Sequence, residues 1–278
     1  MNHLETNYQT PDGVNLFLQA WMPENPRASL LLIHGLGEHS GRYGKLVQGL
    51  TELGIAVFTF DGRGHGKSDL PKPSAYFDSF EEYLKDIHAL FGKVKSYVPG
   101  LPSFIFGHSM GGGMAASYAL KYRPEVNGII LSAPAIKEAE GTSALLVAIS
   151  GVLNRISPKL KALVLDIVGI SRIPEELEKY KNDPLVYQGK IPVRTGYELL
   201  QMMRFIQSNV YRFDFPFLIM HGTADRLTNP KGSRLLFDKS SSRDKTLKIF
   251  EGAYHELLND SDQEEVLSLI LDWVKERM

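Results

Sequence analysis

Short apolar runs rich in Val, Ile and Phe alternate along the chain with stretches whose apolar residues recur at helical spacing. Ser29–Ile33, Ile55–Phe60, Ser103–Phe106, Gly128–Leu131, Pro216–Met220 and Thr246–Phe250 read as buried strands. Val14–Trp21 alternates instead, as an early antiparallel strand with one wet face would, and Asp12-Gly13 before it signals a turn. Helical patterns at Gly41–Leu53, Phe80–Val98, Gly111–Tyr122, Lys231–Asp238 and Gln263–Arg277 fall between the strands. This alternation predicts an α/β fold: a mostly parallel central sheet flanked by helices.

The rhythm breaks between about Ile136 and Tyr211, where helical patterns appear without a convincing strand. The expectation is a helical cap, residues 136–211, inserted into a core formed by 1–135 and 212–278. Two cap stretches, Ser143–Leu153 and Leu160–Ile170, carry too many apolar residues for simple surface helices. They hold Leu145, Leu146, Val147, Ile149, Val152 and Leu153, then Leu163, Val164, Leu165, Ile167, Val168 and Ile170. Their inner face is expected to line an apolar slot. The outer face either packs within the protein or touches a membrane or micelle transiently.

Composition narrows the chemistry. Net charge is −1 with scattered basic residues, so the basic footprint of a nucleic-acid partner is absent. With no cysteine, disulfides, thiolate nucleophiles and Cys-ligated zinc are excluded. The N-terminus lacks a signal-peptide pattern and no apolar run reaches the roughly 18 residues of a membrane span, so the expected location is cytoplasmic, or peripheral at membranes.

Gly107-His108-Ser109-Met110-Gly111 matches G-x-S-x-G between a strand and a helix, the setting of a nucleophile elbow. Its turn needs small flanking residues and leaves the Ser109 oxygen at a helix N-terminus, where negative charge is favoured. A serine nucleophile needs a base, and the base needs an acid, in the order Ser, Asp or Glu, His. Only His221 and His255 follow Ser109. His221 ends a strand, whereas His255 lies in a loop after the last one and is the better base. Asp225, in the loop after the penultimate strand, is the acid. Asp214 lies at the wrong edge and Asp183 in the cap.

An oxyanion hole needs backbone donors, one from Met110 and one from Leu36 in His34-Gly35-Leu36-Gly37. His34 is expected to hold that loop. Asp61-Gly62-Arg63-Gly64-His65-Gly66-Lys67-Ser68 lacks phosphate-loop spacing and reads as a structural turn, with Asp61 and Arg63 as internal pairing groups.

With these motifs placed, the chain resembles the monoglyceride lipases, in the lysophospholipase-like group of α/β-hydrolases. The likeness lies in the run from His34 to Tyr43, in Gly107–Gly112, in Ala224-Asp225-Arg226-Leu227, in Asp244–Ile249 and in Glu251-Gly252-Ala253-Tyr254-His255. It is weakest in the cap, where Tyr180–Leu185 still looks like a family segment. The resemblance implies hydrolysis of a monoacylglycerol to glycerol and a fatty acid, with no metal or organic cofactor. It supports Ser109, Asp225, His255 and the N–H groups of Leu36 and Met110. It also places Glu38, Arg42 and Tyr180 near the polar head of the substrate, although a Glu38–Arg42 ion pair holding the loop is an equal reading. The chain departs at Thr228, where mammalian members carry a cysteine. A carboxylesterase for short or aromatic esters, a lysophospholipase and a non-catalytic binding protein on the same fold stand as alternatives.

Overall fold

The structure, a computed structural model, describes residues 2–139 and 143–278. The cap residues expected at 140–142 lie outside the described residues, as do the side chains at 144–147 and 163, among them Leu145, Leu146, Val147 and Leu163. Ten strands and eight α-helices are described: β1 (Asn2–Gln9), β2 (Asn15–Met22), β3 (Ala28–Ile33), α1 (Gly44–Glu52), β4 (Ile55–Phe60), α2 (Phe80–Tyr97), β5 (Ser103–His108), α3 (Met110–Tyr122), β6 (Gly128–Ser132), α4 (Ala144–Ile156), β7 (Lys161–Leu163), α5 (Pro174–Asn182), β8 (Ile191–Pro192), α6 (Val193–Asn209), β9 (Phe217–Gly222), α7 (Pro230–Lys239), β10 (Lys245–Phe250) and α8 (Gln263–Lys275).

Eight strands form one sheet in the order β1-β2-β4-β3-β5-β6-β9-β10. From β4 to β10 the pairing is parallel; β2 runs antiparallel to both β4 and β1. The alternating run after Asp12-Gly13 is thus the second arm of a hairpin, turned at Gly13 with φ +89. Its first arm, β1, escapes sequence reading because the strand is exposed almost throughout and buries no face to impose alternation.

Successive residues of the central strands feed two cores, as the two-residue strand period requires. Leu31 and Ile33 of β3 join Ile105, Ile129 and Ile219 beneath α2, α3 and α6. Leu30 and Leu32 join Phe104, Ile130 and Leu218 beneath α1 and α8. The last strand differs from expectation: β10 is only half-buried, because it is the sheet's edge.

Between β6 and β9 the chain forms α4, α5, α6 and a short antiparallel pair, β7 with β8. This corrects the strand-free reading of that segment: three- and two-residue strands are too short to register as a period. The apolar run Leu160–Ile170 holds β7 and a 3-10 turn at Ile167–Gly169 rather than a continuous helix. Helix α6 carries Met202 and Ile206 into the main core beside Met114 of α3.

Candidate active site

Parallel pairing brings the C-terminal ends of β3, β5, β9 and β10 to one edge, where loops can converge on a ligand. At the end of β5 the chain turns sharply into α3 through Ser109, whose φ of 54 and ψ of −119 are strained for an L-residue. The turn closes because Ser109 N–H donates to Ser132 O and its carbonyl accepts from Gly113 and Ala135. A Cβ at Gly111 would meet Ile33 O at 2.2 Å, and one at Gly107 would meet Gly111 O at 2.4 Å. Glycine at both positions is therefore a steric requirement.

Ser109 Oγ stands 2.9 Å from His255 Nε2, and His255 Nδ1 stands 2.7 Å from Asp225 Oδ2. The structure brings together the three residues selected from sequence. Both His255 and Asp225 are buried. Burial opposes charge on Asp225, yet the facing His255 and hydrogen bonds from His221 and His255 hold its pKa well below the carboxylate range. Burial likewise opposes charge on His255, but the Asp225 carboxylate outweighs it and raises the imidazole above its ordinary value.

Asp225 accepts further hydrogen bonds from the N–H groups of Leu227 and Thr228 on Oδ1, and from the Thr228 hydroxyl on Oδ2. His221, set aside as a base, lies beneath it with Nε2 at 3.0 Å.

Leu36 and Met110 flank Ser109 in the pocket wall. Among the described residues, neither backbone N–H has a protein acceptor, so both are available to a ligand oxygen. Gly35 lets the loop approach: a Cβ there would lie 2.7 Å from Glu38 Oε1 and 3.2 Å from the Ser109 Cβ. His34 braces the loop as expected, with Nδ1 2.7 Å from Gly35 O and Nε2 accepting from Gly62 N–H. Asp61 accepts from Ser40 and Lys67, and Arg63 pairs with Asp86 and Asp12, so both are internal pairing groups.

Glu38 and Tyr180 line the pocket, whereas Arg42 sits behind them. Arg42 bonds Glu38 at 3.0 Å and forks onto Glu256 while lying 4.8 Å from the Tyr180 ring centre. Glu38 also accepts from Gly35 N–H and Tyr43 OH. Burial opposes its charge, but Arg42, His108, His34 and the Tyr43 hydroxyl together outweigh that and lower its pKa to about 2. The loop-holding ion pair is therefore present, and it leaves Glu38 and Tyr180 facing the ligand space.

His108, Thr228 and Glu256 also reach the pocket, and an apolar wall faces them: Leu165 and Ile170 before α5, Leu199 and Met203 of α6, and Leu227. Leu165 and Ile170 come from the run whose inner face was expected to line a slot, while Val164 and Val168 of the same run are exposed. Sequence reasoning misses Glu256, Leu199 and Met203, and marks Thr228 only as a departure from the family it resembles. Glu256 meets Arg42 across 214 positions, a partnership that no local spacing encodes.

Comparison with known proteins agrees with this architecture. Residues 24–262 match the Hydrolase_4 family, described as serine aminopeptidase S33. The chain is 35% identical to the monoacylglycerol lipase of Mycolicibacterium smegmatis, covering 97% of this chain and 96% of that protein. It is 35% identical to the human monoglyceride lipase over 96% of this chain and 88% of that protein. The crystal structure of a monoacylglycerol lipase from Paleococcus ferrophilus superposes with a TM-score of 0.85 at 36% identity, over 95% of this chain and 99% of the other. The chain belongs to the Hydrolase_4 family of α/β-hydrolases and is a serine ester hydrolase of the kind represented by the monoacylglycerol lipases.

Proposed function

We propose that this enzyme cleaves monoacylglycerols to glycerol and a fatty acid, with Ser109 as nucleophile, His255 as base and Asp225 as the acid that orients it. The observation that carries the reading is the 2.9 Å approach of Ser109 Oγ to His255 Nε2 in a pocket walled by Leu165, Ile170, Leu199 and Met203. A fatty chain needs such an apolar slot, and a glycerol head needs the few polar groups at its other side. Glu38 and Tyr180 supply that polarity, with Arg42 holding both in place.

In the first step Ser109 attacks the ester carbonyl while His255 takes its proton. The N–H groups of Leu36 and Met110 hold the oxyanion. His255 then protonates the departing glycerol. In the second step water, deprotonated by His255, attacks the acyl-enzyme and releases the fatty acid. Asp225 stabilises the imidazolium at both stages. The relatives' names support a lipid ester over a peptide.

Residues 136–211 serve in this reading as a cap that shapes the acyl slot. Exposed Val152, Ile156, Leu160, Val164 and Val168 give it an apolar outer surface for transient contact with lipid. No helix among the described residues is long and apolar enough to cross a membrane.

Glycerol release from 1-monooleoylglycerol by the wild type and by Ser109→Ala tests the proposal, with triolein and p-nitrophenyl butyrate alongside. Release from the monoglyceride and its loss in the variant, by several orders of magnitude in kcat, is the expected result. Cleavage of the butyrate ester alone would make the protein a small-ester carboxylesterase.

A further inference from the structure

We infer that His221, held by Ser233, is a positioning residue that disperses the charge of Asp225 and so limits how strongly Asp225 holds a proton on His255. The inference rests on the reading of Ser109, Asp225 and His255 as the catalytic set.

The geometry is a buried chain behind the acid. Asp225 Oδ2 lies 2.7 Å from His255 Nδ1 and 3.0 Å from His221 Nε2, so two imidazoles converge on one oxygen. A carboxylate oxygen only accepts, so each ring must turn an N–H toward it. In the neutral His221 ring that leaves Nδ1 as an acceptor, and the Ser233 hydroxyl of α7 stands 2.7 Å from it. His221 and Ser233 are both fully buried, so water cannot replace either partner. Asp225 thereby fixes the tautomer in which His221 donates from Nε2, and the Ser233 hydroxyl, free to donate or accept, gives the buried Nδ1 its partner.

Thr228 is a less dependable donor. Its single hydroxyl proton has two acceptors within reach, Ala133 O at 3.0 Å and Asp225 Oδ2 at 2.8 Å. A hydrogen bond to the charged form of a carboxylate stabilises that charge and weakens its pull on a second donor. Without His221 the full charge of Oδ2 would bear on His255, whose imidazolium would become harder to deprotonate. His221 makes no hydrogen bond to Ser109; besides Asp225 and Ser233 it meets only the Thr228 hydroxyl, at 3.2 Å, which itself bonds Asp225, so its effect passes through the Asp225 cluster.

The other titratable groups facing His255 are untouched by changes at His221. They are His108 at the end of β5, with its ring centre 4.8 Å away, Glu38 and its partner Arg42 after β3, neighbouring Glu256, and Tyr180 of α5.

The test is the acid limb of kcat/KM on a soluble p-nitrophenyl ester. It compares wild type, His221→Leu, His221→Gln and Ser233→Ala, with circular dichroism checking the fold. His221→Leu removes the donor and should move the limb upward by about half a unit to one unit. His221→Gln restores a side-chain N–H donor and should return it to the wild-type position. Ser233→Ala keeps the ring but removes the donor to Nδ1 that strengthens the Nε2–H bond to Asp225, and should move the limb in the same direction by less; it remains informative if His221→Leu does not fold. An unmoved limb in folded variants, or a downward shift, would overturn the inference. Fluorophosphonate labelling of the wild type, lost in Ser109→Ala, tests the underlying reading separately. If labelling fails, that reading falls; if labelling succeeds and the limb is unmoved, only the role of His221 falls.

Discussion

Arg42 forks onto Glu256, with Nη1 2.5 Å from Oε1 and Nη2 2.8 Å from Oε2, and so ties the loop after β3 to the loop that carries His255. The same guanidinium reaches Glu38, and all three side chains are at least nine-tenths buried. Two carboxylates and one cation thus share a dry site next to the pocket that holds Ser109. Removing the cation leaves two buried charges uncompensated, which costs about 3–5 kcal/mol. Arg42→Ala should therefore lower the unfolding free energy by that much, and Glu38 should no longer titrate near about 2. Arg42→Lys should recover only part of the loss, because an ammonium cannot fork onto Glu256 while reaching Glu38. Equilibrium unfolding of both variants checks this. An unfolding free energy within about 0.5 kcal/mol of wild type for Arg42→Ala would mean the ion cluster contributes nothing to the fold.

Strain at Ser109, the proposed nucleophile, makes a second prediction. Ser109 is held at φ 54 and ψ −119, a conformation that only glycine adopts without cost. Such residues store about 1–3 kcal/mol, retained by the surrounding structure. Ser109→Gly should abolish ester cleavage yet stabilise the protein, whereas Ser109→Ala should abolish it with the strain intact. Thermal unfolding separates the two: Ser109→Gly should melt above Ser109→Ala by several degrees. Equal melting points would show that the elbow holds no strain.

Much of this site is legible in the chain because its parts carry local constraints. Gly107 and Gly111 are forced by backbone contacts inside a five-residue motif. The order of Ser109, Asp225 and His255 follows from which strand ends share an edge, so placing the strands places the residues. What stays hidden is long-range. Glu256 and His221 look like ordinary neighbours of a histidine and a glycine until the sheet brings Arg42 and Asp225 to them. The polar strand β1 buries no face, and the β7–β8 pair is too brief to show a period. Arg42 illustrates a choice that sequence leaves open: spacing offers both an ion pair and a substrate contact, and packing puts the guanidinium behind Glu38 rather than in the pocket.

Buried histidines make stability fall in mild acid. His34, His65 and His108 are all enclosed, and burial lowers each pKa, to about 3 for His65 and about 4 for His108. They stay neutral in the folded chain while the unfolded chain protonates them below about pH 6.5. The unfolded state then binds more protons, so stability is complete above pH 6.5 and drains as pH falls toward these lowered values. At pH 5 His65 and His108 each cost about 2 kcal/mol, and His34 acts in the same direction. His255 acts oppositely: its raised pKa contributes stability that is fully present below about 6.5 and is lost only as pH rises through the folded value. Asp225 and Glu38, held low by their partners, add a second loss as pH falls below about 4. Urea midpoints from pH 7.5 to 4 should decline before any carboxylate titrates, and a flat profile between 7 and 5 would refute the histidine account.

The outer surface of the cap separates catalysis from access to lipid. Ile156 and Val164 are 74% and 75% exposed, so charging them disturbs little packing. Inserting an aliphatic side chain into an apolar phase gains about 1.5–3 kcal/mol. If the proposed lipid contact is real, the double variant Ile156→Glu, Val164→Glu forfeits at least one such term per side chain and adds charge repulsion at an anionic surface. Cleavage of soluble p-nitrophenyl butyrate should stay within about twofold of wild type, since neither residue lines the pocket. Cleavage of monooleoylglycerol in anionic liposomes should fall at least about tenfold, with a matching loss in co-sedimentation. Equal losses on both substrates would place the defect in the fold. Unchanged rates on liposomes would mean that these side chains belong to a face that never meets lipid, and that substrate reaches Ser109 from solution.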